Sequence, residues 1–204
     1  MKEWTDYIAE LQSIAQAGLY YGKDRFDLER YQRLREISAE LLSLYSGIPE
    51  KQITPLFCGE VGYQTPKLDT RAAVFEDDRI LLVQESGGLW TLPGGWVDFD
   101  LSPTESAVKE VREEAGLEVR ADRLIAVQDR EKHNEPRYLY KICKLFYLCT
   151  RLGGSFRPNS ETTDSGYFSP EELPELDIAK TSEEQIAMCF EAKRQGDRWQ
   201  VLFD

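Results

Sequence analysis

The hydrophobic pattern of this chain changes its period once, and that change limits the architectures open to it. Through residue 57, apolar side chains recur at three- and four-residue steps. Trp4, Ile8, Leu11, Ile14 and Ala15 form one stripe; Leu28, Tyr31, Leu34, Ile37, Leu41, Leu42 and Tyr45 form another. This is the spacing of amphipathic helices. Gly18 and Gly47 are the expected stops, and Pro49 opens a short third helix. Residues 58–67 carry Gly, Pro and Thr, and beyond them short strand-like runs take over. Runs 71–75 and 79–84 flank an acidic turn as a hairpin, and 90–92 and 95–97 bracket Pro93 and Gly94. Runs 124–128, 139–149 and 199–203 are further strands. A helix is expected over 181–195, with Thr181 and Glu184 as a capping box. The reading is therefore a helical domain over 1–57, a linker over 58–67 and an α/β domain over 68–204.

With 37 acidic against 25 basic side chains, the net charge is −12. That argues against nucleic acid or an anionic membrane as a partner held by bulk charge. The basic residues of 23–35 alternate with Asp24, Asp27, Glu29 and Glu36, the pattern of a solvated helix face. No run approaches the roughly 18 apolar residues of a membrane span, and the first residues do not read as a secretory signal. Cys58, Cys143, Cys149 and Cys189 are scattered without a Cys-x-x-Cys pair, so reduced thiols and a cytoplasmic location are expected. One histidine, His133, supplies neither a zinc site nor a Ser-His-Asp hydrolase.

Residues 93–117 hold the chemistry. A helix is marked by Ser102 as N-cap, Pro103 in its first position, Glu105 completing a capping box and Gly116 as its stop. Ala107, Val108, Val111 and Ala115 form its buried stripe. Glu110, Glu113 and Glu114 share another face at i, i+3 and i+4. Like charges at this spacing cost roughly 0.2–0.5 kcal/mol per pair. Anions near a helix C-terminus also oppose the macrodipole. Such conflicts gather at functional sites, and converging carboxylates are what Mg2+ or Mn2+ takes as ligands. Gly94 and Gly95 let the backbone approach a ligand closely.

This segment resembles the Nudix box, Gly-x5-Glu-x7-Arg-Glu-U-x-Glu-Glu-x-Gly-U, where U is bulky and aliphatic. Gly95, Glu110, Val111, Glu113, Glu114, Gly116 and Leu117 match in register. Leu101 stands where the family has Glu, and Lys109 where it has Arg. The preceding helices, with Gly-Tyr-Gln-Thr-Pro-Lys and Leu-Ser-Pro-Thr-Glu, are similar to a bacterial branch carrying a helical domain ahead of the catalytic one. The resemblance implies an α/β/α sandwich on a mixed sheet, a homodimer through the helical domain, and Mg2+ or Mn2+ as cofactor. It implies hydrolysis of the diphosphate in a nucleoside diphosphate linked to a second moiety, such as CDP-choline or a nucleotide sugar, with ADP-ribose or another nucleotide as an alternative. A non-catalytic nucleotide-binding module is the competing reading. Metal ligands would be Glu113, Glu114, the Gly94 carbonyl and Glu110, with Lys109 orienting Glu110. The base would be Glu110 or, from the later loop, Glu161, with Asp164 behind it. Substrate contacts are sought among Arg71, His133, Asn134, Tyr138 and Tyr140. Trp90 and Trp96 are read as core.

Overall fold

The computed structural model describes residues 3–138 and 140–204, so Leu139, the expected start of one strand, lies outside the described residues. The chain divides into two compact units. One holds the described residues up to Pro66 together with Arg137, Tyr138 and Tyr140; the other holds 67–136 and 141–204.

The first unit is helical. Helix α1 (Trp4–Tyr21) runs through Gly18, and its cap residue is Gly22. A Cβ on Gly18 would fall 2.3 Å from the Tyr31 ring, so this glycine permits close approach to α2 (Arg25–Ser46) rather than ending α1. Helix α2 starts where the Asp24 side chain accepts from the Phe26 and Asp27 amides, and ends at Gly47. Helix α3 (Glu50–Phe57) follows Pro49. Ile8, Ala39, Leu42, Ile53 and Phe57 make the core. The interleaved charges of α2 pair along its exposed face, Arg25 with Glu29, Arg30 with Asp27, and Arg33 with Glu36 and Glu40.

The second unit is a seven-stranded mixed sheet between two helices. Its strands are β1 (Lys67–Glu76), β2 (Arg79–Glu85), β3 (Trp90–Thr91), β4 (Leu117–Asp129), β5 (Ile142–Gly154), β6 (Thr162–Phe168) and β7 (Leu202–Phe203). The order is β3-β2-β1-β5-β4-β7, with β6 also on β2. The pairs β1–β5 and β4–β7 are parallel, and the others antiparallel. Side chains alternate between the sheet's faces. Ala72, Val74, Leu81 and Val83 pack with Ala107, Val111 and Ala115 of α4 (Pro103–Ala115). Ala73, Ile80 and Leu82 pack with Ile186, Met188, Cys189 and Ala192 of α6 (Glu183–Gln195). A four-residue helix α5 (Arg130–His133) follows β4.

Two local readings need correction. The cap of α6 is Ser182 with Gln185, one residue beyond the expected Thr181 and Glu184. Thr181 is buried, where its hydroxyl lies 2.8 Å from that of Thr91 and accepts the Leu92 amide. Trp90 packs edge-on against Phe168, but Trp96 is 45% exposed and is not core. All four cysteines are free thiols. No helix among the described residues is long and apolar enough to cross a membrane.

Candidate active site

Helix α4 is set by its ends. Ser102 Oγ accepts from the Glu105 amide while the Glu105 carboxylate accepts from the Ser102 amide, Pro103 opens the first turn, and Gly116 closes the last in the left-handed region. This phase buries Ala107, Val111 and Ala115 and carries Glu114 inward with them; Glu114 is only 7% exposed.

The loop ahead of α4 meets these glutamates. The Thr70 and Ala72 amides of β1 donate to the carbonyls of Gly95 and Pro93, and the Val97 amide donates to Leu68. This fit requires glycine: Gly94 has φ 148°, and a Cβ there would lie 1.9 Å from the Thr70 carbonyl oxygen. A Cβ on Gly95 would lie 3.1 Å from Glu110 Oε2. The Gly94 amide donates to Glu114 Oε2 at 2.8 Å. Asp98 ties the loop's far end to α4, its amide donating to Ser106 Oγ and its carboxylate 3.1 Å from Lys109 Nζ.

Burial leaves two carboxyls strained electrostatically. It pushes Glu114 up to about 7, against the downward pull of Arg71 and the Gly94 amide. Burial also raises Glu110, and the charge of Lys109 only partly opposes it. The charges of Glu113 and Glu161 add to the rise. Lys109 reaches further than Glu110. Its Nζ lies 2.8 Å from Glu113, 3.1 Å from Asp98 and 3.9 Å from Glu110, because an i, i+4 partner shares its face while the adjacent residue points about 100° away.

The loop before β6 docks on the end of α4. Asn159 Nδ2 donates to the Glu113 carbonyl and Thr162 Oγ1 to the Glu114 carbonyl. Glu161 sits between them, exposed, and close enough to influence Glu110. Asp164 is exposed on β6 and caps the Ser165 amide. Neither Asn159 nor Thr162 was singled out from sequence, since their partners are backbone carbonyls of another element.

Of the expected substrate contacts, Arg71 lies beside the glutamates. Arg71 is buried and gives Nε and Nη2 to Asp69 at 3.0 and 2.8 Å and Nη1 to the Leu92 carbonyl, so it anchors the loop from beneath, and its charge reaches Glu110 and Glu114. Asn134 is buried in reciprocal hydrogen bonds with Gln185, which makes it structural. His133 Nε2 lies 2.9 Å from Asp204. Tyr138 and Tyr140, with rings 5.8 Å apart, pack with the helical unit.

The donor set suits a hard divalent ion in kind, being carboxylate and backbone oxygen. Glu114 is buried and Glu110 half-buried, both with their charge incompletely offset, which an ion would relieve. Among the described residues no three ligating side chains form a finished cage. Glu113 has its Oε2 2.8 Å from Lys109 Nζ.

Comparison with known proteins converges on one family. The NUDIX domain model matches residues 66–189, and a model described as a UDP-X-like, N-terminal oligomerisation domain matches 2–57. YjhB of Bacillus subtilis, provisionally named an ADP-ribose pyrophosphatase, is 40% identical over 203 residues, 99% of this chain and 97% of YjhB. A crystal structure of an ADP-ribose pyrophosphatase from Streptococcus suis is 55% identical, with TM-score 0.64, over 69% of this chain and all of that one. A UDP-X diphosphatase structure is 34% identical, also with TM-score 0.64, over 98% of this chain and 97% of its own. With a mixed sheet between two helices, a Gly-Gly loop closed on the buried Glu114, and these relatives along its length, the chain belongs to the Nudix family and is a Nudix hydrolase.

Proposed function

We propose that this enzyme hydrolyses the diphosphate bond of a nucleoside diphosphate linked to a second moiety, with Mg2+ or Mn2+, releasing a nucleoside monophosphate. The observation that carries this reading is the burial of Glu114, with Glu110 half-buried beside it, against the Gly94–Gly95 loop with their charge incompletely offset. The names of the relatives, an ADP-ribose pyrophosphatase and a UDP-X diphosphatase, fall within the same class of bridged diphosphates. CDP-choline and nucleotide sugars belong to that class too.

Glu113, Glu114 and the Gly94 carbonyl would hold the ion, with Glu110 as a further ligand. When bound, the ion supplies neutralisation of the diphosphate charge and acidifies water. Glu161, exposed on the docked loop, takes the proton from the attacking water, with Asp164 as the second candidate. Lys109 orders Glu113 and the loop through Asp98. The match to the NUDIX domain model and the pyrophosphatase named among the relatives favour catalysis over a purely binding module.

We also propose a homodimer formed through the helical unit, whose Trp4, Tyr7, Phe26, Leu44 and Tyr45 are exposed. Light scattering at micromolar concentration is expected to give twice the chain mass; a single-chain mass overturns the dimer. For the activity, ADP-ribose, a UDP-sugar and CDP-choline are incubated with Mg2+ or Mn2+ and the monophosphate is measured. Turnover of one or more, lost in chelator and in Glu113→Gln, is expected. Equal product from wild type and Glu113→Gln overturns the reading.

A further inference from the structure

The loop bearing Glu161 is fastened to α4 at the two residues that carry its last glutamates. Asn159 Nδ2 donates to the Glu113 carbonyl at 2.9 Å, and Thr162 Oγ1 donates to the Glu114 carbonyl at 2.7 Å. Both carbonyls belong to the last turn of a helix ending at Ala115, where no intrahelical N–H is available to them. The same two side chains also organise the loop. Asn159 Oδ1 accepts the amides of Glu161 and Thr162, each at 2.9 Å, and Nδ2 reaches Thr162 Oγ1 at 2.8 Å. The Asn159 amide donates to the Thr162 carbonyl at 3.0 Å. Thr162 is fully buried, whereas the Glu161 side chain is exposed. The backbone of Glu161 is thus held on both sides while its carboxylate stays free.

We propose that Asn159 and Thr162 are positioning residues for the reaction, a clasp that registers the Glu161 carboxylate against the glutamate-bearing end of α4. This rests on the assignment of Glu161 as the base. Only an amide side chain can accept two backbone amides through one atom and donate to a carbonyl and a hydroxyl through the other. Aspartate would keep the first function and set a negative oxygen against the Glu113 carbonyl. Threonine adds the second anchor because its buried hydroxyl has a carbonyl to bond.

The test measures kcat and KM for Asn159→Ala, Asn159→Asp, Thr162→Val and Thr162→Ser, in the wild-type and Glu161→Gln backgrounds. The substrate is the panel member turned over fastest with Mg2+. Asn159→Ala, Asn159→Asp and Thr162→Val are expected to lower kcat about 10- to 100-fold, the scale of lost outer-shell support at metal sites, with KM little changed. Thr162→Ser restores kcat. In the Glu161→Gln background the same changes have no further effect, since a positioning group without its client has nothing to position. Losses that add to that of Glu161→Gln overturn the clasp while leaving the hydrolase reading intact. Full kcat in Glu161→Gln, with Glu114→Gln inactive, overturns it too. Amide hydrogen exchange gives a readout independent of turnover. Glu161 and Thr162 amides are expected to be protected in the wild type and to exchange faster in Asn159→Ala, with β1 and β5 unchanged. Equal exchange in the two proteins overturns the clasp, whether or not any substrate is turned over.

Discussion

Helices α4 and α6 each run for 13 residues, start with a reciprocal capping box and cover one face of the same sheet. They differ in what they do with the polar side chains they bury. On α6, Gln185 is 1% exposed and satisfied in every direction. Its Nε2 donates to Gln128 and Asn134, and its Oε1 accepts from Asn134 and the Ser182 amide. On α4, buried Glu114 receives one backbone amide, and its carboxyl rises to about 7. A fully satisfied buried polar group rigidifies a fold, whereas a group buried without sufficient partners is retained for chemistry. The contrast separates a structural helix from a working one without reference to any relative.

The sharpest way to break the comparison is activity. Glu113→Gln and Glu114→Gln should each cut kcat by roughly two to three orders of magnitude, the scale of losing one preorganised electrostatic group. Gln185→Ala should leave kcat within about twofold at a temperature where the protein stays folded. Steady-state kinetics on one substrate decide it. Comparable kcat losses on both helices would erase the distinction.

Stability should show the reverse order. Gln185→Ala strands the buried amide of Asn134 and leaves a cavity, so about 2–4 kcal/mol of unfolding free energy should disappear in urea titration. Glu114→Gln should instead stabilise the metal-free protein at pH 8. The sign follows from linkage. The Glu114 carboxyl titrates near 7 in the fold and near 4.5 when unfolded, so its cost is absent below 4.5 and complete above 7. A shift of that size corresponds to about 3 kcal/mol as an upper bound, and 1–3 kcal/mol is expected. In chelator, the variant's advantage over wild type should shrink to nothing as the pH falls from 8 to 4. Lys144, whose ammonium is pulled down to about 7 by burial, changes the pH dependence of both proteins alike and cancels from the difference. An advantage independent of pH would show that Glu114 is not strained by burial.

What could be read in the sequence follows the reach of each interaction. Both ends of α4 were legible, because Ser102, Pro103, Glu105 and Gly116 act within a turn of themselves. The hairpin of β1 and β2 was legible for the same reason, since an acidic turn joins its two arms directly. Thr181 misled because a second cap-forming residue stands beside it and its own hydroxyl is engaged by Thr91, 90 positions away. Gly18 reads as a stop until Tyr31 is placed against it. Arg71 and Asn134 attracted attention as polar residues near the expected site, and their partners, Leu92 and Gln185, emerge only from tertiary packing. Lys109 lies nearer Glu113 than Glu110, because the helix's own geometry brings an i, i+4 partner onto its face.

The smallest effect concerns the caps, the feature the two helices share. Ser102→Ala and Ser182→Ala should each cost about 1 kcal/mol, the usual worth of an N-cap side chain. Their couplings should differ. The Glu105 carboxylate that completes the α4 box is exposed and, among the described residues, bonds Ser102 alone, whereas Gln185 completes the α6 box while holding Asn134 and Gln128. Ser182→Ala combined with Gln185→Ala should therefore fall short of additivity by about 0.5 kcal/mol or more, as expected for groups sharing one network. Ser102→Ala should also leave kcat unchanged, because Glu113 lies 11 residues along the helix, about 16 Å from the cap. Urea titration of the three variants and one kinetic measurement test both statements. If Ser102→Ala lowered kcat tenfold, the glutamates would be held by the helix's first turn, and the division between a locally specified scaffold and a loop-tuned site would fail.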